Sequence, residues 1–434
     1  MIKFFIENYG CQMNSSETDS LRSIFFDHGF IEVADPPLAD IAVINTCSIR
    51  KTAEDRIEGR LGYYRGLRDK KGSKVRVVFM GCMAQNRGKE IGEKYSDVVA
   101  AVWGTYNKGG VAELIDSLKD PGNNNAFSLA QESYEFMNSS PRERLKFKSF
   151  VQISHGCNNF CSYCIVPMVR GREVYRKSGE IIDNISSLVD GGVLEVTLLG
   201  QNVNSYSDSG LDFPGLLDKI STVTGIKRLT FLTSHPKDLS KNLTEVIRAH
   251  DNILKTVHLP LQSANDRILK LMNRKYTFDQ YLEKISWIKE IKDVTISTDI
   301  ITGFPSESGE EFQDTLDAMK NIMFDEAFMY YYNPRPGTPA SSITPQLGMA
   351  AKKHRLAELI SVQQKIMSER LASFTGFRTS VLMESPSRKD PGELIGRTHN
   401  GLMVFMKGDK SLAGKIMNVE ILKPSGTGLK AKIL

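Results

Sequence analysis

Three apolar stretches, each ended by a cysteine and followed by a helical pattern, constrain the fold of this chain more than any other feature. "IKFFIENYG" runs into Cys11, "DIAVINT" into Cys47 and "VRVVFMG" into Cys82, at intervals of 36 and 35 residues. Helical spacing follows in "SSETDSLRSIFFDHGF", with Ser15 or Ser16 as the candidate cap, and again over 51–69 and 83–95. Strand and helix alternating in this way predict βαβ units and a parallel sheet. In such sheets ligands gather beyond the carboxyl ends of the strands. All three cysteines fall at that edge, each near a helix N-terminus that favours a thiolate.

At 434 residues the chain has room for several cores. Its 41% hydrophobic and 25% charged residues are those of an ordinary globular protein. The longest apolar runs, such as Val77–Met80 and Leu402–Met406, are too short to span a bilayer, so no membrane association is expected. Glu7 and Asn8 interrupt the N-terminal stretch where a signal peptide needs apolar residues, which makes the cytoplasm the expected location. Thiols stay reduced there, and six cysteines then read as ligands or catalysts rather than disulfides. The net charge is +5, and residues 374–434, with 10 Lys and Arg against 5 Asp and Glu, carry all of it. A basic module on a neutral body suits a polyanion such as nucleic acid, although an unevenly charged solvated surface gives the same count.

These patterns divide the chain into a first α/β domain (1–118), a linker (119–142) opening with "DPGNNN", a central domain (143–373) and a C-terminal module (374–434). The central part alternates again. The strand before Cys157 and the stretches "LEVTLLG", "RLTFLTS", "KTVHLPL", "VTISTDIITG" and "AFMYYY" make six βα units, enough for an open (β/α)6 partial barrel. From 378 onward, five short strands separated by Gly, Asn, Pro and Lys predict a small closed OB-like β-barrel.

Cys157, Cys161 and Cys164 are spaced Cys-x3-Cys-x2-Cys in a loop after a strand. Three thiolates so close can hold three corners of a 4Fe–4S cluster and leave the fourth iron open. Zinc asks for a fourth ligand, and His155 is the only neighbour in the sequence. Arg170 and Arg172, just downstream in "VPMVRGRE", are able to meet a carboxylate or phosphate, or are simply exposed loop arginines.

"GCNNFCSYCIVPMVRG" resembles the cluster-binding loop of the radical S-adenosylmethionine enzymes. With "GCQMN", "NTCSIR" and "GCMAQ" upstream and a basic β-module downstream, the chain resembles the methylthiotransferases of that superfamily from end to end. The resemblance implies a flavodoxin-like first domain whose Cys11, Cys47 and Cys82 bind an auxiliary 4Fe–4S cluster. It also implies a radical-SAM cluster on Cys157, Cys161 and Cys164, and a C-terminal TRAM module that binds RNA. Of the family's branches, "GCQMN", "LLGQNVN" and "TSHP" point to the MiaB type, which methylthiolates C2 of N6-isopentenyladenosine at position 37 of tRNA. The alternatives are siblings acting on N6-threonylcarbamoyladenosine or on an aspartate of a ribosomal protein.

In this family S-adenosylmethionine serves both as methyl donor and as source of a 5′-deoxyadenosyl radical. The resemblance therefore implies an external reductant of the flavodoxin or ferredoxin type, a sulfur donor, the tRNA anticodon stem-loop as partner, and a monomer. The cofactors carry the hard chemistry and the fold positions it.

Further candidates for cofactor or substrate binding are Gln201, where the superfamily usually has a Gly-Gly-Glu turn, and His235, which also reads as a satisfied core histidine. Glu307, in "GFPSE" with Ser306 replacing a commoner glycine, reads equally as a helix N-terminal carboxylate. Arg335 lies in the proline-rich "NPRPGTPA". Arg388, Lys389, Arg397, Lys407 and Lys410 are the candidate RNA-phosphate contacts. From other classes, a two-cluster electron carrier with an RNA-binding tail and a zinc-dependent RNA-binding protein remain open.

Overall fold

A computed structural model describes the chain except for residues 48–50, 72, 107–109, 121, 123–125, 130–133, 138–146 and 391, and gives the backbone alone for 51–53, 55, 70 and 71. No helix among the described residues is long and apolar enough to cross a membrane.

The first six strands are β1 (Lys3–Tyr9), β2 (Ile31–Glu32), β3 (Ile41–Thr46), β4 (Arg76–Gly81), β5 (Val99–Trp103) and β6 (Ala126–Ser128). They form one parallel sheet in the order β2-β1-β3-β4-β5-β6. This is the flavodoxin-like order, with its topological switch point between β1 and β3. Helices α1 (Gln12–Asp27) and α4 (Val111–Ser117) cover one face, where Phe4, Leu21, Phe25, Val43 and Leu114 pack. On the other face α2 (Lys51–Lys71) and α3 (Cys82–Lys94) bring Leu61, Tyr64 and Ile91 onto Ile44 and Phe79. Strands buried on both faces explain the near-continuous apolar runs.

Two details differ from the sequence reading. Helix α1 begins at Gln12 with Cys11 at its N-cap, not at Ser15 or Ser16. The sheet also runs past residue 118. β6 pairs with β5, and the Phe127 ring approaches Gly92, within the span read as linker. A three-residue strand with one large apolar side chain has no periodicity to reveal it. Much of 119–142 lies outside the described residues.

The central domain opens with β7 (Lys148–Gln152) and a two-residue pair, β8 (Ser154–His155) and β9 (Val174–Tyr175), that brackets the Cys157–Cys164 loop and the short helix α5 (Val166–Arg170). The remaining main strands are β10 (Glu195–Leu199), β13 (Arg228–Phe231), β14 (Thr256–His258), β15 (Thr295–Thr302) and β16 (Glu326–Tyr331), with a small hairpin of β11 (Ser207–Asp208) and β12 (Leu211–Asp212). Two parallel three-stranded sheets, β7-β10-β13 and β14-β15-β16, are joined by a single parallel bridge between Leu229 and Ile253. Six strands in sequence order, helices outside, make the open (β/α)6 barrel. The core lies between strands and helices, where Val196, Leu198, Leu229, Val257 and Ile300 meet Ile185, Leu217, Tyr281 and Leu316.

The C-terminal module is a closed barrel of β17 (Arg378–Pro386), β18 (Glu393–Thr398), β19 (Met403–Lys407), β20 (Ile416–Ser425) and β21 (Gly428–Ile433), ordered β17-β18-β19-β21-β20. Its Thr398–Gly401 turn seats on the amino ends of the central strands. Arg228 Nη2 donates to the Thr398 carbonyl at 2.9 Å, Asn400 Nδ2 to Asp293 O at 3.0 Å, and Thr295 Oγ1 to Asn400 O at 2.6 Å. The basic module is therefore bolted to the end of the partial barrel opposite the cysteine loop.

Candidate site: two cysteine triads at facing sheet edges

Tyr9, Thr46 and Gly81 stand side by side at the ends of β1, β3 and β4, so Cys11, Cys47 and Cys82 emerge from three adjacent strands. Asn14 ties those ends together. Its Nδ2 donates to Asn45 Oδ1 (3.0 Å) and to Thr46 O (2.9 Å), and its Oδ1 accepts from Cys11 Sγ at 3.4 Å. Gly81 has φ +94, and a Cβ there would meet Thr46 O at 2.4 Å. Only glycine permits this approach. The hydrogen bond with Cys47 holds the Cys11 thiol below its ordinary range, against the effect of burial and with help from Arg170. Burial pushes the Cys82 thiol up, and Arg170 opposes it.

The second triad lies on the central domain. Cys157, Cys161 and Cys164 follow β8 in a loop tied across the barrel mouth. Ser162 N donates to Met272 O at 3.0 Å, Ser162 Oγ to Leu271 O at 2.7 Å, and Ala340 N to Ser162 O at 2.8 Å. Phe160, between the first two cysteines, adopts a strained φ of +48, and its carbonyl accepts from Asn273 Nδ2 at 2.9 Å. Burial raises the Cys157 thiol to about 11 and the Cys164 thiol to about 12. Buried arginine Arg274 lies beside them, its Nη1 3.4 Å from Cys161 Sγ and its Nη2 donating to Pro260 O at 3.1 Å.

The two edges face one another. Cys82 packs with Ile165 and Val169 of the central domain, and Thr105 Oγ1 donates to the Val169 carbonyl. Arg170 is 3% exposed, with Nε donating to Cys82 Sγ at 3.2 Å and Nη1 to Glu17 Oε1 at 3.0 Å. Tyr134, from within the expected linker, stacks on His155 at 3.6 Å and accepts from Gln152 Nε2 at 2.7 Å.

The other candidates scatter around the mouth. Gln201 Oε1 accepts from Gly156 N at 2.5 Å, bracing the backbone just before Cys157. His235 caps a short turn through Nδ1, which accepts from Lys237 N at 3.2 Å; burial, Arg274 and Lys237 lower its pKa to about 2 and keep it neutral. Arg172 lies over the Phe160 ring at 5.1 Å. Arg335 pairs with Glu54 of α2 at 3.6 Å, across the domain junction. Glu307 is buried, accepts from Gly303 N at 2.7 Å and pairs with Arg355; burial pushes its carboxyl up, and these partners oppose that. Ser306 takes a left-handed φ of +63, a conformation that glycine would occupy without strain. In the terminal barrel Arg388, Lys389, Lys407 and Lys410 are exposed, whereas Arg397 donates to Gly401 O and lies 3.7 Å from Glu384.

Sequence reasoning missed Arg274, Glu17 and Tyr134. Arg274 is 113 residues from Cys161, Glu17 joins the site through Arg170 and Tyr134 through His155, and no spacing in the sequence marks any of these contacts.

Chemically, the donor sets fit iron–sulfur clusters. Each triad offers three thiols at one edge, and the four irons of a cube take separate ligands, which need not converge on one point. Among the described residues no three His, Cys, Asp or Glu side chains converge as the cage of a single ion. Buried polar atoms at the carboxyl ends of the barrel strands that have no hydrogen-bond partner among the described residues include Ser154 Oγ, Asn202 Oδ1, Ser234 Oγ, His235 Nε2, Gln262 Oε1 and Tyr332 Oη. Such atoms are costly in a dry interior, and a polar cofactor at the mouth would satisfy them.

Comparison with known proteins accords with this geometry. Residues 3–104 match the model of the Uncharacterized protein family UPF0004, 151–319 the Radical SAM superfamily and 373–434 the TRAM domain. Relatives named tRNA-2-methylthio-N(6)-dimethylallyladenosine synthase include those of Treponema denticola (39% identical, covering 99% of both chains) and Moorella thermoacetica (38%, covering 99% of this chain and 98% of the relative). That of Thermodesulfovibrio yellowstonii is 39% identical, with 99% and 98% covered. Among solved structures, the radical S-adenosylmethionine methyltransferase TsrM of Kitasatospora setae shares the fold at 14% identity, with TM-score 0.57 over 79% of this chain and 75% of that one. The cobalamin-dependent S-adenosylmethionine radical enzyme OxsB gives 0.53 at 10% identity, over 84% of this chain and 56% of that one.

Proposed function

This chain belongs to the family of tRNA-2-methylthio-N(6)-dimethylallyladenosine synthases, and from that membership we propose that it adds a methylthio group to C2 of N6-isopentenyladenosine at position 37 of tRNA. It is a radical S-adenosylmethionine enzyme and a tRNA methylthiotransferase. Its cofactors are 4Fe–4S clusters and S-adenosylmethionine.

In this reading Cys157, Cys161 and Cys164 hold the radical-SAM cluster, and Cys11, Cys47 and Cys82 hold the auxiliary one. When bound, the clusters and S-adenosylmethionine supply the radical, the methyl group and the sulfur. The chain's own residues do the positioning. Arg274 places a fixed positive charge beside Cys161, and Gln201 braces the Gly156 amide next to Cys157. His235 and its orphaned neighbours offer neutral polar groups to the cofactor at the mouth. The exposed cations of the terminal barrel give the tRNA backbone a docking surface. An external reductant, a sulfur source, a monomeric state and a cytoplasmic location complete the proposal.

The observation that carries this reading is the juxtaposition of the two triads, with α5 leading directly from Cys164 to the Arg170–Cys82 contact. The test is anaerobic reconstitution of the full chain with iron and sulfide, followed by S-adenosylmethionine, dithionite and isopentenylated tRNA. The expected product is the 2-methylthio nucleoside by mass spectrometry. A Cys11→Ala variant should still form 5′-deoxyadenosine yet leave the tRNA unmodified. A wild-type chain that forms 5′-deoxyadenosine but modifies only threonylcarbamoylated tRNA would move it to the sibling branch.

A further inference from the structure

The central domain contributes a charged side chain to the other domain's cysteine site. Arg170 ends α5, six residues after Cys164, and its side chain lies against the first domain. Its three nitrogens have different surroundings. Nε donates to Cys82 Sγ at 3.2 Å, and Nη1 donates to Glu17 Oε1 at 3.0 Å and lies 3.4 Å from His155 Nδ1. Nη2 has no hydrogen-bond partner among the described residues, although the residue is 3% exposed. A buried guanidinium with an unused donor carries a desolvation cost that the Glu17 pair offsets along one edge only. Its Nε faces the Cys82 thiol, and its charge also acts on Cys11. Hydrogen bonds to ligand sulfur and nearby charge are among the factors that set the potential of an iron–sulfur cluster.

We propose that Arg170 is a positioning residue for the cluster on Cys11, Cys47 and Cys82, raising its reduction potential through N–H donation to ligand sulfur, with Glu17 moderating that charge. The inference rests on the reading of those three cysteines as cluster ligands. Adding an electron makes the site more negative, so donors at sulfur stabilise the reduced form and Glu17 opposes it. The first-domain site is then complete only when α5 is seated. Lysine cannot replace the planar fork, because it lacks donors in two fixed directions.

The experiment uses the full-length chain carrying Cys157→Ala, Cys161→Ala and Cys164→Ala, which leaves the first-domain site alone. Iron and sulfide are reconstituted anaerobically. One-electron reduction by dithionite through mediators is then followed by electron paramagnetic resonance. Arg170→Met should shift the midpoint negative, Glu17→Gln should shift it positive, and Arg170→Lys should fall between Arg170→Met and the parent. Midpoints that do not move, or that move in the same direction for Arg170→Met and Glu17→Gln, overturn the proposal. Should Arg170→Met fail to retain iron, Glu17→Gln decides alone: a positive shift supports the proposal, and any other result overturns it. A parent that takes up no iron overturns the cluster reading, and the inference with it, which is a distinct result.

Discussion

Asn14 and Asn45 hold each other reciprocally: Asn14 Nδ2 donates to Asn45 Oδ1 at 3.0 Å, and Asn45 Nδ2 donates to the Asn14 carbonyl at 3.1 Å. Both are buried, and the pair joins the first turn of α1 to the end of β3. The segments that carry Cys11 and Cys47 are therefore tied directly to one another. Asn14→Ala leaves Asn45 short of its side-chain donor, and an unsatisfied buried polar group costs about 1–3 kcal/mol. Urea unfolding should show that loss. Iron retained per chain after gel filtration should fall, while 5′-deoxyadenosine formation persists.

Gly81→Ala should be more damaging than its size suggests. At φ +94 the new Cβ is strained, and it sits 2.4 Å from Thr46 O, a backbone atom that cannot swing away. We expect a loss of at least about 2 kcal/mol in thermal or denaturant unfolding. Gly59, in the interior of α2 with open space around its Cβ position, is the matched control. There alanine should stabilise by about 0.5–1 kcal/mol.

The junction between the partial barrel and the terminal module should weaken in acid. Burial, with Arg228 and Lys255 nearby and Asp251 opposing, lowers His399 from 6.5 to about 4. The unfolded chain then takes up a proton between pH 6.5 and about 4 that the folded chain refuses, so stability falls as the pH drops through that window. Glu195 adds a second loss at lower pH. Burial alone would raise its carboxyl, but Lys148 and Arg228 outweigh burial and hold it below its ordinary 4.5. That contribution is complete above the ordinary value and disappears as the pH falls through the lowered one. Melting temperatures from about pH 7.5 to about 4 should decline more steeply for wild type than for His399→Gln. Arg228→Met, which strands Glu195 with Lys148 alone, should cost about 3–5 kcal/mol at neutral pH.

Binding of tRNA should depend on salt through the exposed cations of the terminal barrel. Replacing Arg388, Lys389, Lys407 and Lys410 with alanine together should weaken binding of modified and unmodified tRNA alike. It should also reduce the slope of log K against log salt by about 0.7–0.9 for each phosphate that is no longer neutralised. Arg397→Ala should do less, because its guanidinium already serves Gly401 O and Glu384. Filter binding between about 50 and 200 mM salt checks both, since a protein that neutralises many phosphates weakens on the order of 10³-fold or more over that range.

The parallel sheet, the six βα units and the five-stranded barrel were legible because each repeats a local period, and periodicity is a property of sequence. The cysteines were legible for a similar reason. The Cys-x3-Cys-x2-Cys spacing of Cys157, Cys161 and Cys164 reads as a ligand set without any structure, and Cys11, Cys47 and Cys82 each follow a strand that must pair with its neighbours. In the sequence "QMN" after Cys11 reads only as a family word. Its physical task, Asn14 bracing three strand ends, appeared only once β1, β3 and β4 stood side by side. Arg170 marks the limit. Its place beside Cys157–Cys164 in the chain suggested cofactor or substrate, yet a single short helix turns it toward Cys82, 88 residues away.

The amino-acid sequence alone determined which elements form and which side chains could carry metal chemistry, since propensity, pattern and donor type are encoded locally. Only the tertiary structure decided which groups share one dry space: Arg274 with Cys161, Arg170 with Cys82 and Glu17, and Asn14 with Asn45. Burial strengthens charges and hydrogen bonds and makes an unpaired polar group costly, and burial belongs to the packed domains together rather than to any stretch of chain.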